Sequence, residues 1–403
     1  MKECKELDEC LACSHDDLEL TLDLGEQPLA NNFLSSPGLN KSYPLAVNRC
    51  RRCFHLQLTH VVDPEIIYKD YAYVSGTSQT YLDYMVWFAK WTREYVNRWH
   101  GHVLDIGCND GSQLDAYKQL GFRTYGVDPA ENLYKTSKDK GHNVVCGFWN
   151  KDSIRQLDHR KFDIVVSQNA FAHNPNPEKY LRLLESVLSD DGLFFIQTSQ
   201  ANMIQNGEFD TIYHEHVNFY NIQSMDALAR RGGMHLIDVV KTPIHGISYV
   251  FVLSKSNKRP KHIKNLIAME ADLLQADTYK QWANRAVKVK NEFASRIQLF
   301  REKGYKIVGY GAAAKGMTLL NFADVKLDFI VDDNPLKQGT YSPGKDIAIV
   351  GSVALADLEP KEKVLFVPLA WNVFTEIKNK ILKVRTNKED RFLRYFPEVT
   401  VES

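Results

Sequence analysis

The sequence predicts an α/β protein: a Rossmann-like core, a small metal-clasped part before it and a second Rossmann-like part after it. Three observations carry this. Two C-x-x-C pairs, "CLAC" and "CRRC", stand near the N-terminus. A strand, a glycine turn and a helix follow one another at "HVLDIGCNDGSQLDAYKQLG". The same succession returns at "KIVGYGAAAKGMTLL". Strands alternating with helices build a doubly wound sheet.

The chain has 403 residues, 44% of them hydrophobic, which is enough for two or three cores. Fifty basic residues balance fifty acidic ones, so no net charge draws the chain to nucleic acid or anionic lipid. No apolar run approaches the roughly 18 residues of a membrane span. The polar start "MKECKELDEC" does not read as a signal peptide, so a cytoplasmic protein is expected. Seven cysteines in a reducing compartment do not suggest a disulfide framework.

Cys10 and Cys13 form one pair, Cys50 and Cys53 the other. Two such knuckles supply four thiolates to one tetrahedral zinc ion, and a closed set of four protein ligands makes the zinc structural. A redox C-x-x-C would stand once, between a strand and a helix. Cys4, Cys108 and Cys146 are left as free thiols.

The middle of the chain reads as a cofactor pocket. The strand of "HVLDIG" is followed by a glycine turn, a helix and the strand "TYGVDPA", which ends in Asp128. A carboxylate there accepts hydrogen bonds from ribose hydroxyls. Both a nicotinamide dinucleotide and S-adenosylmethionine fit that logic. Asn109 stands at the second glycine position of a dinucleotide loop, where its Cβ would crowd a pyrophosphate. Asp105 precedes the loop and suits an ammonium group. Gly107, Asn109 and Gly111 are therefore read as an S-adenosylmethionine loop. "KFDIVVSQNAFAHNPNP" gives a strand ending in polar Ser167, Gln168 and Asn169, at the edge where such sheets bind ligands. "LLESVLSDDGLFFIQTS" gives a helix, a turn at Asp191–Gly192 and a strand. Phe148 is either core or a stacking partner for adenine.

"TIYHEHVNFY" packs Tyr213, His214, Glu215 and His216 together. In extended form Tyr213 and Glu215 share one side, and the two histidines the other. No third ligand nearby favours a metal. Histidine can remove a proton near neutral pH, and a tyrosine hydroxyl can donate to a developing enolate oxygen. The set suits proton abstraction beside a carbonyl and then attack of carbon on a sulfonium methyl. Further on, residues 260–303 read as long helices with a solvated face. "LDFIVDDNP" ends a strand in Asp332 and Asp333, and Lys315 could pair with a phosphate.

These segments resemble a known family. The two C-x-x-C pairs, "YPLAVNRCRRCFHLQLTHVVDPEIIYKDYAYVSGTS", "LDIGCNDG", "YHEHVNFY", "GYGAAAKGMTLLN" and "DDNPLKQGTYSPG" are similar to the zinc-containing sugar C-methyltransferases, over nearly the whole chain. The resemblance implies a class I methyltransferase core with three parts: zinc-binding residues 1–75, a core at 76–258 and a C-terminal Rossmann-like part at 259–403. It implies S-adenosylmethionine as cofactor, a dTDP-linked deoxy-4-keto sugar as substrate and a monomer. It makes His216 the base, Tyr213 the group facing the keto oxygen and Glu215 a sugar contact. Tyr73 and Ser75 match a segment that folds over the site. His214, His245, Ser248 and Lys315 match substrate contacts, Lys315 at the nucleotide end. One departure stands out: Ile247 and Val250 occupy a segment where the family shows a glycine pair and an arginine. O- or N-methylation of a small molecule, and an inactive zinc-anchored binding module, are the alternatives.

Overall fold

The computed structural model describes residues 3–403 except 39, 72, 200–201, 245 and 257–259. The chain divides into two compact units. The first holds residues 1–19, 48–201 and 215–275; the second holds 20–47, 202–214 and 276–403.

The first unit contains the two cysteine knuckles, a short strand β1 (Leu56–Leu58) and helix α1 (Gln79–Val96). Then come β2 (His102–Ile106), α2 (Ser112–Gln119), β3 (Arg123–Asp128), β4 (Asn143–Cys146) and β5 (Phe162–Gln168). Helix α3 (Pro177–Val187) leads into β6 (Leu188–Thr198). Further along come β7 (Asn218–Phe219), α4 (Ile222–Arg231), β8 (His235–Thr242), β9 (Ser248–Ser254) and α5 (His262–Met269). Seven strands form one sheet in the order β4-β3-β2-β5-β6-β9-β8. Only β9 runs against its neighbours β6 and β8. That order, with one reversed strand second from the edge, is the class I methyltransferase sheet.

The central strands are apolar because helices cover both faces of the sheet. Val103, Leu104, Ile164, Val165 and Val166 are all buried. Helix α1 shows Tyr81, Tyr84, Met85, Phe88, Ala89 and Thr92 to one face, the spacing of an amphipathic helix. Ser78 caps its start by accepting from the Tyr81 N–H, and left-handed Asn97 ends it. Phe88 is completely buried against this core, so Phe88→Ala would remove about 3–5 kcal/mol of stability.

Two sequence expectations are corrected here. The turn expected at Asp191–Gly192 lies inside β6, where the pairing with β5 slips between Leu188 and Leu193. The bend is absorbed as an irregularity of the strand because Gly192 lies tightly over the Phe162 carbonyl. The stretch 211–217 is turn and loop; only Asn218 and Phe219 are extended. The period-two alternation of Tyr213 to His216 therefore does not hold.

In the second unit the long helix α6 (Ala276–Glu302) precedes β10 (Lys306–Tyr310), α7 (Ala314–Phe322), β11 (Phe329–Val331), β12 (Ile349–Val350) and β13 (Val364–Pro368). Helix α8 (Phe374–Val384), β14 (Arg391–Arg394) and β15 (Thr400–Glu402) complete it. The sheet order is β12-β11-β10-β13-β14-β15, parallel up to the last, antiparallel strand.

Candidate functional site

The two knuckles repeat one backbone design. The Ser14 N–H donates to the Cys10 carbonyl (2.8 Å), and the Phe54 N–H to that of Cys50 (3.0 Å). The Cys10 N–H donates to the His15 carbonyl and the Cys50 N–H to that of His55, both at 2.9 Å. Ser14 and Phe54 are both left-handed, at φ 58° and 59°. The result gathers four sulfurs within 4.8 Å of one another. Cys10–Cys53 and Cys13–Cys50 are each 3.6 Å apart. Tetrahedral zinc with Zn–S bonds of about 2.3 Å needs sulfurs about 3.8 Å apart, so the four thiols fit the ion. Hydrogen bonds from Cys10 and Cys53 hold the Cys50 thiol well below its ordinary range. The knuckles are tied to the sheet. Gln57 accepts from the Leu11 N–H (2.8 Å), and Arg231 donates to the carbonyls of Leu11 and Ala12.

At the carboxyl edge of the sheet, Gly107 has φ 86°, and a Cβ there would strike Ala170. Only glycine serves at such a position. Asp128 receives the Asn109 N–H on Oδ2 (2.8 Å) and the Ala130 N–H on Oδ1 (2.9 Å). Each carboxylate oxygen keeps a further lone pair for a ligand hydroxyl. Asn109 reaches the other way. Its Oδ1 accepts from the Ser75 N–H (2.9 Å), and its Nδ2 donates to the Tyr73 carbonyl (3.0 Å). Asp110 accepts from the Gly76 N–H (3.2 Å). The loop thus holds the Tyr73–Gly76 segment. Gly111 starts α2. Asp105 is buried, and its Oδ1 has no donor among the described residues. Burial, and next the charges of Asp128 and Asp110, push its carboxyl up to about 8. Asn169, left-handed at φ 51°, anchors its N–H on the Gln197 carbonyl and donates from Nδ2 to the Tyr81 hydroxyl. Its Oδ1 likewise has no donor among the described residues. Two buried acceptors without donors beside a glycine loop fit a ligand that carries an ammonium and N–H groups. Phe148 is half-buried on the loop after β4.

A second cluster in the same unit includes residues that sequence reasoning missed. His216 is buried and stacks on His173, with ring centroids 5.2 Å apart. His173 stacks in turn on Tyr68, at 5.6 Å and nearly parallel. Burial pushes His173 down to about 4, so it stays neutral. The Glu215 carboxylate accepts from the Tyr71 hydroxyl (2.8 Å), and the Glu215 carbonyl from that of Tyr68 (3.1 Å). The signal for Tyr68 and Tyr71 was their place just before "YVSG"; that for His173 was its place just beyond the polar end of β5. Ser248 is fully buried within the sheet, where it accepts from Gln197 (2.7 Å) and donates to the Ile244 carbonyl (2.8 Å). His245 lies outside the described residues.

Tyr213, His214 and Lys315 belong to the second unit. Tyr213 is half-buried. His214 is buried, with Nε2 against the Tyr43 carbonyl (3.3 Å), and burial pushes it down to about 4. Lys315 pairs with Glu208 (3.5 Å) and lies over the Trp371 ring. The second unit also repeats the first unit's loop. Gly311 has φ 87°, its N–H meets the Val331 carbonyl (2.7 Å), and Asp332 receives the N–H groups of Ala312 and Asn334.

This sheet order, loop and terminal acid define an S-adenosylmethionine-dependent methyltransferase. Three family models match in succession: "Putative zinc binding domain" over residues 10–68, "Methyltransferase domain" over 87–239 and "C-methyltransferase C-terminal domain" over 243–397. C-methyltransferase NovU of Streptomyces niveus is 29% identical, over 98% of this chain and 97% of its own. A ubiquinone biosynthesis O-methyltransferase of Coxiella burnetii is 25% identical, over 38% of this chain and 72% of its own. The structure of magnesium protoporphyrin IX methyltransferase from Synechocystis PCC 6803 with bound SAM superposes with a TM-score of 0.33 at 15% identity, covering 44% of this chain and 79% of that one. Along nearly its whole length the chain is similar to zinc-containing, S-adenosylmethionine-dependent C-methyltransferases. S-Adenosylmethionine is its cofactor and zinc its structural metal.

Proposed function

We propose that the protein methylates a carbon of a nucleotide-linked, dTDP-type deoxy-4-keto sugar through an enolate. The observation that supports this most is the buried His216–His173 stack. A base that takes a proton becomes a cation. His173 is held neutral by burial, so a charged His216 would meet no second imidazolium. A C–H beside a ketone is not nucleophilic until it loses its proton, which is the work assigned to His216. Tyr213 donates to the enolate oxygen, and Glu215, oriented by Tyr71, contacts the sugar. His214 and His245 are proposed as further sugar contacts and Lys315 as the partner of the nucleotide phosphates; Ser248, its hydroxyl enclosed in the sheet, is not.

Bound S-adenosylmethionine supplies the electrophilic methyl group. Asp128 takes the ribose hydroxyls, Asp105 the ammonium group and Phe148 the adenine face. Gly107, Asn109, Gly111 and Asn169 shape the pocket under the Tyr73–Ser75 segment. Residues 1–75, 76–258 and 259–403 are proposed as the zinc, cofactor and nucleotide parts.

The test is proton exchange in heavy water with a keto sugar nucleotide. Wild-type protein should exchange the α-proton, and His216→Asn should not, while its turnover falls by roughly 10²- to 10⁴-fold with cofactor affinity kept. Exchange and turnover at the wild-type rate in His216→Asn would remove His216 from the mechanism. A product carrying O–CH₃ or N–CH₃ in place of C–CH₃ would select the alternative chemistry.

A further inference from the structure

Asn218 is the second residue after His216, and it is fully buried. Its Nδ2 donates to the carbonyls of Ala172 (3.2 Å) and Asn174 (2.8 Å). Those two carbonyls flank His173 on either side, and the His173 ring stacks on His216. One amide group therefore fixes the backbone on both sides of one ring, from a residue two places after the one that carries the other.

The remaining oxygen of that amide faces the metal lobe. Asn218 Oδ1 lies 3.2 Å from Nε2 of His55. His55 supplies the carbonyl that closes the second cysteine knuckle. The strand itself is locked in the same direction. Asn218 pairs with Gln57, and the Leu58 N–H donates to the Val217 carbonyl (2.9 Å). The Gln57 side chain then holds the first knuckle through the Leu11 N–H and the Glu9 carbonyl. Asn221 adds a further tie, from Nδ2 to the Phe54 carbonyl (2.8 Å).

We propose that Asn218 is a positioning residue: it uses the rigid cysteine knuckles as a footing from which to set His173 against His216. The proposal rests on the reading of His216 as the base. Its chemistry is specific. Only a group with two donors and one acceptor satisfies both carbonyls and His55 at once, and a buried primary amide is that group. Displacement of a reacting group by about 1 Å can lower turnover on the order of 10²-fold.

The experiment compares Asn218→Ala and Asn218→Asp with wild type, measuring zinc content, S-adenosylmethionine affinity by calorimetry, and kcat and KM against pH. Asn218→Ala should keep its zinc and its cofactor affinity while kcat falls about ten- to a hundredfold. Asn218→Asp has the same shape but sets a carboxylate against two carbonyl oxygens. Its turnover relative to wild type should therefore rise as pH falls and the new carboxyl gains a proton. A purely structural loss would lower activity equally at every pH. Asn218→Asp with a wild-type kcat and an unchanged pH profile overturns the proposal, and this holds even where Asn218→Ala fails to fold. The same series with His216→Asn separates the two claims. Full activity in His216→Asn removes the base reading, whereas an inactive His216→Asn beside fully active Asn218 variants removes only the positioning role.

Discussion

Asn109 puts a Cβ where a dinucleotide loop has a glycine. The structure gives it a task as well. Its amide staples the backbone of Tyr73 and Ser75, while its own N–H is held by Asp128. That task was hidden because its partners lie more than thirty residues away in the chain. Asp128→Ala should therefore have two effects. It removes an acceptor for ligand hydroxyls and releases the Asn109 N–H, so S-adenosylmethionine should bind about ten- to a hundredfold more weakly in calorimetry. Unchanged affinity would remove Asp128 from the pocket. Asp105 makes a second expectation. With its carboxyl pushed up to about 8 by burial and the neighbouring acids, it holds a proton at neutral pH. A cationic cofactor beside it favours the carboxylate, so binding at pH 7 should release protons. The observed binding enthalpy should then change with the ionisation enthalpy of the buffer, and should not do so in Asp105→Asn.

Among elements, those with a local cause were legible. The glycine turns, the buried strands β2 and β5 and the cysteine knuckles follow from residues close together in sequence. The Asp191–Gly192 bend and the loop at 211–217 were not legible, because tertiary packing decides them: Gly192 over the Phe162 carbonyl, and Glu215 held by Tyr68 and Tyr71. Glu270 is another element-scale device that no local pattern announced. It lies just past α5, accepts the Ile222 N–H at the start of α4 (2.8 Å) and receives the Tyr249 hydroxyl from β9. Burial, opposed by the Ile222 N–H and Lys241, pushes its carboxyl up to about 7 from 4.5. The native protein thus binds the extra proton between those values, and its stability should fall as pH rises through that window, by about 3 kcal/mol at most. Glu270→Gln should flatten the slope in denaturant titrations between pH 5 and 8. A wild-type stability that rises across that range would contradict the assignment.

At the scale of the molecule, the zinc was read from spacing alone, and the four sulfurs bear it out. What spacing could not show is how far the lobe reaches, through Gln57, His55 and Asn221, into the strand after His216. Stripping the metal with a chelator should lower turnover before it lowers cofactor affinity, because the Gly107–Asp128 loop makes none of these contacts. A parallel loss of both would show that zinc supports the whole first unit.

The chain passes between its two units five times, after residues 19, 47, 201, 214 and 275. Neither unit is a continuous piece of sequence. On the ribosome, residues 20–47 emerge more than two hundred residues before most of their own unit, residues 276–403. Domains made from contiguous sequence fold as they appear, but this segment has to wait for residues 276–403, its apolar residues open to chaperones meanwhile. A gene truncated at Gln275 should therefore yield an aggregating fragment, even though every strand of the seven-stranded sheet is present in it.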